Sequence, residues 1–430
     1  MTEKTRNIFV LGLDEHQRQV LERLPDADEY RFHSLFGAEK IRGVEQIAAA
    51  ELYSAAREQL EKWPAKIDGV ISLLDFPATE IAALLSSEFG LPGPDINSVL
   101  RCNHKYWSRL VQNQAIPEAV PNFAAFDPFD ANAVEDLENR LGYPFWVKPL
   151  NAYRSLLGFR VNNRAELSAA AEQLREGITR LAEPFAWVMQ QATLPQQIAA
   201  LPAHICIAES IIGGHQCTLE GYVYNGEPRI FAIVDSIRDP NGVSFSRYQY
   251  PSTLPEEVQL RMIDSACRAV SATGLDQAPF NVEFFYSASS DKIWLLEINP
   301  RLSQSHCELL EKVDGVSHQR IAIDLARGRE PQIQHRLGSW PCAAKFFVRA
   351  FEPGQVTKVP DQERLKQIEQ EIPGASIQMQ VKAEDKLAEL ADQDSYSYEL
   401  ANIWLGGQDT ADLLERFEKC RALLGIEIDN

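Results

Sequence analysis

Residues 280–306 read FNVEFFYSASSDKIWLLEINPRLSQSH. The two apolar runs, NVEFFY and KIWLLEI, have strand composition, and SASSD between them has the chemistry of a hairpin turn. Folded about Ser290 in the simplest antiparallel register, the hairpin sets Glu283 opposite Glu297, and side-chain alternation puts Asn299 on the same face. Like charges opposed in a sheet repel, so an acidic pair flanked by Phe284, Phe285, Trp294 and Leu296 calls for a counter-charge. A hard divalent cation supplies one: magnesium takes oxygen ligands, uses one or two carboxylates and fills its shell with water and phosphate oxygens. Arg301, two residues past the amide, adds a cationic fork for phosphate or carboxylate. The competing reading is a solvated sheet face on which the two carboxylates never meet. It would stand for a lone E-x-N-x-R string; a partner strand with its own glutamate favours the metal.

The rest of the chain is that of an ordinary globular protein long enough for two or three domains: 430 residues, 45% apolar and 24% charged. With 42 basic against 61 acidic residues, the formal net charge of -19 argues against a nucleic-acid or anionic-membrane surface, since both rely on basic patches. No apolar run approaches membrane-spanning length, and the first residues, MTEKTRNIFVLGL, enter a strand without a secretory core. Seven scattered cysteines without C-x-x-C spacing fit reduced, buried thiols, and the expected location is cytoplasmic.

Residues 7–13 (NIFVLGL) and 68–75 (DGVISLLD) read as buried strands, each followed by a helical pattern, the second closed by Gly90. This alternation predicts a small Rossmann-like parallel-sheet domain over residues 1–100. One glycine at the first turn is no dinucleotide fingerprint, so a nicotinamide-dependent oxidoreductase is disfavoured and the domain more naturally shapes a substrate cleft at its strand ends. Residues 98–122 read as one helix running into a proline-punctuated link, with Lys105 inside it. The strand FWVKP carries Lys148 among apolar neighbours, where a lysine either snorkels or meets an anion. The loop LNAYRSLLGF follows, with Arg154 and Ser155. Further on, residues 167–181 read as a helix, 184–192 (PFAWVMQQA) as a strand, 194–203 as an irregular insertion, and 204–214 as a strand breaking at two glycines. Strands at 217–224 and 229–237 flank the turn NGEP, and 255–274 is a helix leading into the hairpin. A helix to residue 326, a strand KFFVRAF and a closing helix, TADLLERFEKCRALL, complete the chain.

This order, with a lysine-bearing helix, a strand lysine, a glutamate before a double glycine and the ExNxR hairpin, resembles the ATP-grasp superfamily and, within it, the carboxylate-amine (amino-acid) ligases. The motifs correspond from about Lys105 to Arg301. The resemblance implies a mixed α/β and α+β multidomain fold: the parallel-sheet domain, a linker helix region at 101–140, ATP-grasp subdomains of α+β type at 141–210 (small) and 211–335 (large), and a C-terminal α+β region at 336–430. It implies that Lys105 and Lys148 hold ATP phosphates beneath a loop containing Arg154 and Ser155. Glu209 would begin the segment between the subdomains, where backbone groups of Ser210 and Ile212 meet the adenine edge. Gln216 stands where many relatives have a ribose-binding glutamate. Glu283, Glu297 and Asn299 match the metal ligands, for magnesium with manganese as a substitute, and Arg301 matches the arginine beside the reacting phosphate. With Lys148 it makes the catalytic pair. Ser303, Ser305 and His306 replace the glycines usual after that arginine and are candidates for a substrate carboxylate; helix capping ahead of CELLEK is the plainer role for the serines.

The activity implied is ADP-forming ligation of a small-molecule carboxylate to an amine through an acyl phosphate, with an amino acid as one substrate and a homodimer as the family's precedent for assembly. A biotin-carboxylase-like, bicarbonate-activating enzyme is the nearest rival, although the phosphate loop lacks its glycine run. A non-catalytic ATP-binding regulatory protein is the rival from another class.

Overall fold

The computed structural model describes residues 5–42, 44–151, 156–390, 393 and 396–429. Arg154 and Ser155 lie outside the described residues.

The first domain is a three-stranded parallel sheet with Arg6–Leu11 in the centre, flanked by Tyr30–Phe36 and Gly69–Ser72. Gly12 ends the central strand at φ +80°, and a Cβ there would stand 2.2 Å from Leu74 Cγ. Only glycine permits both the conformation and the close approach. Helices Glu15–Glu22, Ala49–Glu61 and Ala78–Glu88 accompany the sheet.

The expected helix over 98–122 is broken. Ile96–Asn103 ends at His104, whose extended backbone (ψ 94°) and Nδ1, accepting from Trp107 N at 3.2 Å, cap a new helix, Lys105–Ala115. The break places Lys105 on the first turn of the second helix, where the helix dipole disfavours a cation. An opposing carboxylate offsets that cost.

A four-stranded sheet follows, in the order Phe123–Phe126, Cys206–Ser210, Phe145–Pro149, Phe159–Val161. It starts inside the expected linker region. Residues 184–190 are helical, not extended: Thr179–Gln190 buries Leu181, Phe185 and Val188, a spacing of four and three that serves a helix face. Arg164–Gly177 precedes it, ending short of residue 181, and the insertion at 194–203 contains a single helical turn, Gln196–Ala199.

Glycines 213 and 214 carry the chain into an eight-stranded sheet. Gly214 lies at φ +129° with its missing Cβ 2.1 Å from Tyr286 O, so backbone packs on backbone at this crossing. The strand order is Lys292–Asn299, Ala278–Ser287, His215–Tyr224, Glu227–Arg238, Phe245–Tyr250, Cys342–Ala350, Tyr398–Gly407, Ser376–Met379. The last three come from the expected C-terminal region. Cys342–Ala350 pairs directly with Phe245–Tyr250, so the sheet is continuous across the expected boundary at 335. The closing helix is Thr410–Leu424, as read from the sequence.

All seven cysteines are free, and all but Cys267 are buried. Among the described residues no helix is long and apolar enough to cross a membrane.

Candidate active site

In the hairpin Glu283 faces Glu297, and Asn281 faces Asn299. The route to that pairing differs from a simple fold about Ser290. Near the turn the register is one residue tighter: Ser287 pairs with Lys292 and Phe284 with Leu295. A bulge at Leu296 restores the offset. Without it Glu283 would face Leu296, and Glu297 would point to the opposite side of the sheet. The core residues Ile293, Leu295 and Ile298 of this strand are accordingly spaced by two and then three.

Glu297 Oε2 accepts from Lys105 Nζ at 2.9 Å. Lys148 Nζ lies 2.6 Å from Glu209 Oε2, and Arg109 Nε donates to Glu209 Oε1 at 2.5 Å. Burial alone would raise Glu209, but Arg109 and Lys148 outweigh it and hold this carboxyl at about 2. Burial lowers Lys148, with Glu209 opposing. For Lys105 the Glu297 charge overcomes burial and the ammonium is strengthened. Within the acidic pair, burial and then the charge of Glu297 push Glu283 upward, while Lys105 and Lys148 overcome burial to hold Glu297 down. Glu297 is thus ion-paired with Lys105, whereas among the described residues Glu283 is hydrogen-bonded by the neutral Gln216 amide and pairs directly with no cation.

Asn299 Nδ2 donates to Asn281 Oδ1 at 3.0 Å and approaches Glu297 Oε1 at 3.5 Å, which leaves its amide oxygen as the atom to offer a cation. Two carboxylates and an amide oxygen fit magnesium held jointly with phosphate oxygens. Among the described residues no group of three or more His, Cys, Asp or Glu could hold a metal ion.

The other expected residues divide. Arg301 is gripped by Asp75, reaching over from the first domain, and its own carbonyl accepts from Asn281 Nδ2 at 2.9 Å. The Ser210 N–H is taken by Asn122 O at 2.9 Å, so of that residue's backbone groups only the carbonyl remains for a base edge. Ile212 lies on the crossing between the two sheets, half-buried. Gln216 is engaged at both ends: Nε2 donates to Glu283 Oε2 at 2.9 Å, and Oε1 accepts from Arg238 Nη2 at 2.6 Å. A ribose oxygen could still accept from the second Nε2 N–H, but the amide oxygen could accept from a ribose hydroxyl only in competition with Arg238. Ser305 Oγ accepts from Lys345 Nζ at 3.1 Å. Neither Ser303 nor Ser305 caps the following helix, Cys307–Asp314, whose flanking residue is His306. His306 is buried, its Nδ1 2.7 Å from Glu220 Oε1, and burial lowers it to about 3; it anchors the segment after Arg301 and is not poised over a substrate.

Sequence reading missed Asp75, Arg109, Asn281 and Lys345. Two carried signals: Asp75 follows a parallel strand, where such sheets bind ligands, and Arg109 is four residues beyond Lys105 on one helix face.

Residues 141–308 match the family model of the ATP-grasp domain. A D-alanine--D-alanine ligase of Synechococcus sp. (strain CC9605) is 28% identical over 195 residues, covering 45% of this chain. The chain spans about half, 50%, of that relative's length. The crystal structure of L-amino acid ligase from Bacillus licheniformis superposes with a TM-score of 0.73 at 19% identity, over 100% of both chains. The biotin carboxylase domain dimer of Hydrogenobacter thermophilus 2-oxoglutarate carboxylase, solved with MgADP and bicarbonate, gives 0.63 at 14% identity, over 99% of this chain and 91% of its own. At these identities the structural likenesses establish a shared fold.

Proposed function

We propose that this chain, whose residues 141–308 match the ATP-grasp domain model, is an ADP-forming ligase that joins a carboxylate to an amine, with an amino acid as one substrate. The observation that carries the reading is the Glu283–Glu297 pair with Asn299 on one side and Lys105, Lys148 and Glu209 opposite, the donor set of a metal-nucleotide site. Mg2+ held by Glu283, Glu297 and Asn299 would neutralise phosphate charge.

A carboxylate is a poor electrophile, and its oxygen a poor leaving group. Attack of a carboxylate oxygen on the γ-phosphorus of ATP, with departure of ADP, turns that oxygen into a phosphate leaving group; the amine nitrogen then displaces it as phosphate and loses a proton. In this scheme Lys105 exchanges its carboxylate partner for phosphate oxygens, while Lys148 stays on Glu209 and offers the phosphates its remaining N–H groups. Arg301, held in place by Asp75, stabilises charge on the group in transfer. The position of Asp75 supports a further role for the first domain, which is to bring the second substrate up to the arginine.

The experiment is a matrix of amino acids and small carboxylates scored for ADP and phosphate, with product mass identifying the amide. Release of ADP that requires both an acid and an amine is the expected result. Release with bicarbonate alone would favour the bicarbonate-activating alternative, and nucleotide binding without turnover on any pair would leave a regulatory protein.

A further inference from the structure

We propose that Arg109 is a positioning residue that fixes the register of the hairpin, and with it the direction of the Glu297 carboxylate, while clasping the large subdomain to the small one. The inference rests on the ligase reading for its consequence, though not for its geometry.

A bulge leaves a residue outside the regular ladder, and its backbone groups need partners. Lys292–Asn299 is the edge strand of the large sheet, so no further strand supplies them. Arg109 does. Its Nη1 donates to Leu295 O at 2.9 Å and its Nη2 to Leu296 O at 2.7 Å. Successive carbonyls of a regular strand point in opposite directions. One guanidinium reaches both here because the bulge turns them to the same side. Nε and the other Nη1 N–H donate inside the same cluster, to Glu209 Oε1 and to Gln112 Oε1 at 2.6 Å. Arg109 is 2% exposed.

One helix therefore reads the hairpin twice. Lys105 holds the side chain of Glu297, and one turn later Arg109 holds the carbonyls just before it. A register slip of one residue would move Glu297 to the other face, take its carboxylate from Lys105 and take the two carbonyls from Arg109. The same guanidinium grips Glu209, which holds Lys148, so the metal side and the phosphate side of the site are set by a single rigid group. Lysine cannot replace it, because an ammonium lacks the planar fork that spans two carbonyls and a carboxylate.

The test compares wild type, R109K and R109Q by two measurements: Mn2+ binding in the presence of ADP, followed by the loss of the free-ion EPR signal, and hydrogen exchange across residues 292–299. Arg109→Lys is expected to weaken Mn2+–ADP binding about tenfold and Arg109→Gln up to about a hundredfold. Both should raise exchange at residues 295–297, with a native circular dichroism spectrum for R109K. A folded R109K with wild-type affinity and unchanged exchange overturns the proposal, as does a variant that loses only thermal stability. Should R109Q fail to fold, R109K decides alone. If the wild type itself takes up no Mn2+–ADP, the ligase reading fails, and exchange at 295–297 in R109K still decides the register claim.

Discussion

Two lysine–glutamate pairs face each other across this site, and their surroundings separate their roles. In the Lys105–Glu297 pair the carboxylate side chain is 29% exposed; in the Lys148–Glu209 pair it is 6% exposed and carries a second cation, Arg109. The first pair can be opened by an incoming metal and phosphate, because water and the new charges replace what each partner loses. The second cannot release its carboxylate without stranding two cations in a buried place. Glu297 belongs to the chemistry and Glu209 to the frame.

The largest expected effect breaks the first pair. Glu297→Ala should lower ADP formation on the order of a thousandfold and cost less stability than loss of Glu209, since Glu297 is the more exposed carboxylate and neutralises one cation where Glu209 neutralises two. ADP release and thermal unfolding measured on the same preparation check this. Normal turnover by that variant would remove the hairpin from the mechanism. Breaking the second pair should do the reverse. Glu209→Ala leaves Arg109 and Lys148 without their shared carboxylate, and a loss of about 3–5 kcal/mol in denaturant unfolding is expected. Acid gives the sign. An unfolded glutamate titrates near 4.5 and Glu209 in the fold at about 2, so its contribution is complete above the first value and vanishes as pH falls through the second. The gap between wild type and Glu209→Ala should close across that window.

The contrast between the pairs was only partly legible in the sequence. Glu283, Glu297, Asn299 and Arg301 were found because hairpin pairing is a local rule acting on a short segment. The bulge was not, because the turn alone suggests a symmetric fold about Ser290, whereas Asp291 takes φ +48° and tightens the loop by a residue. Its trace lay in the apolar spacing 293, 295, 298. The break at His104 falls within an uninterrupted helical period and depends on one imidazole cap. Residues 184–192 have strand composition, yet the core beneath Phe185 and Val188 selects a helix. The joining of Cys342–Ala350 to Phe245–Tyr250 is a pairing between segments far apart in the chain, which no local pattern encodes.

A pH experiment sharpens the comparison on the metal side. Burial and the neighbouring Glu297 charge raise Glu283 above the ordinary carboxylate range. The unfolded chain loses this proton first, so in metal-free protein Glu283 costs stability progressively as pH rises from that range through its raised folded value. A cation must displace the same proton. Mn2+ affinity should therefore increase over this window by at most about tenfold per pH unit, and Glu283→Gln should flatten both trends. Titrations at several pH values on wild type and variant test it; an Mn2+ affinity independent of pH would mean that Glu283 is already ionised in the empty site.

The smallest effect concerns Gln216, whose amide joins Glu283 to Arg238. If that bridge is its role, Gln216→Ala should raise the Mg2+ concentration for half-maximal rate by about tenfold, the lower end of what orienting partners of metal ligands contribute. Discrimination between ATP and 2′-deoxy-ATP should stay as in the wild type, because the hydrogen bonds of the amide run to Glu283 and Arg238. A changed ratio of the two nucleotides' KM values with an unchanged Mg2+ requirement would return Gln216 to the ribose. The second Nε2 N–H would then be the group that meets the hydroxyl oxygen, since the amide's only acceptor already holds Arg238.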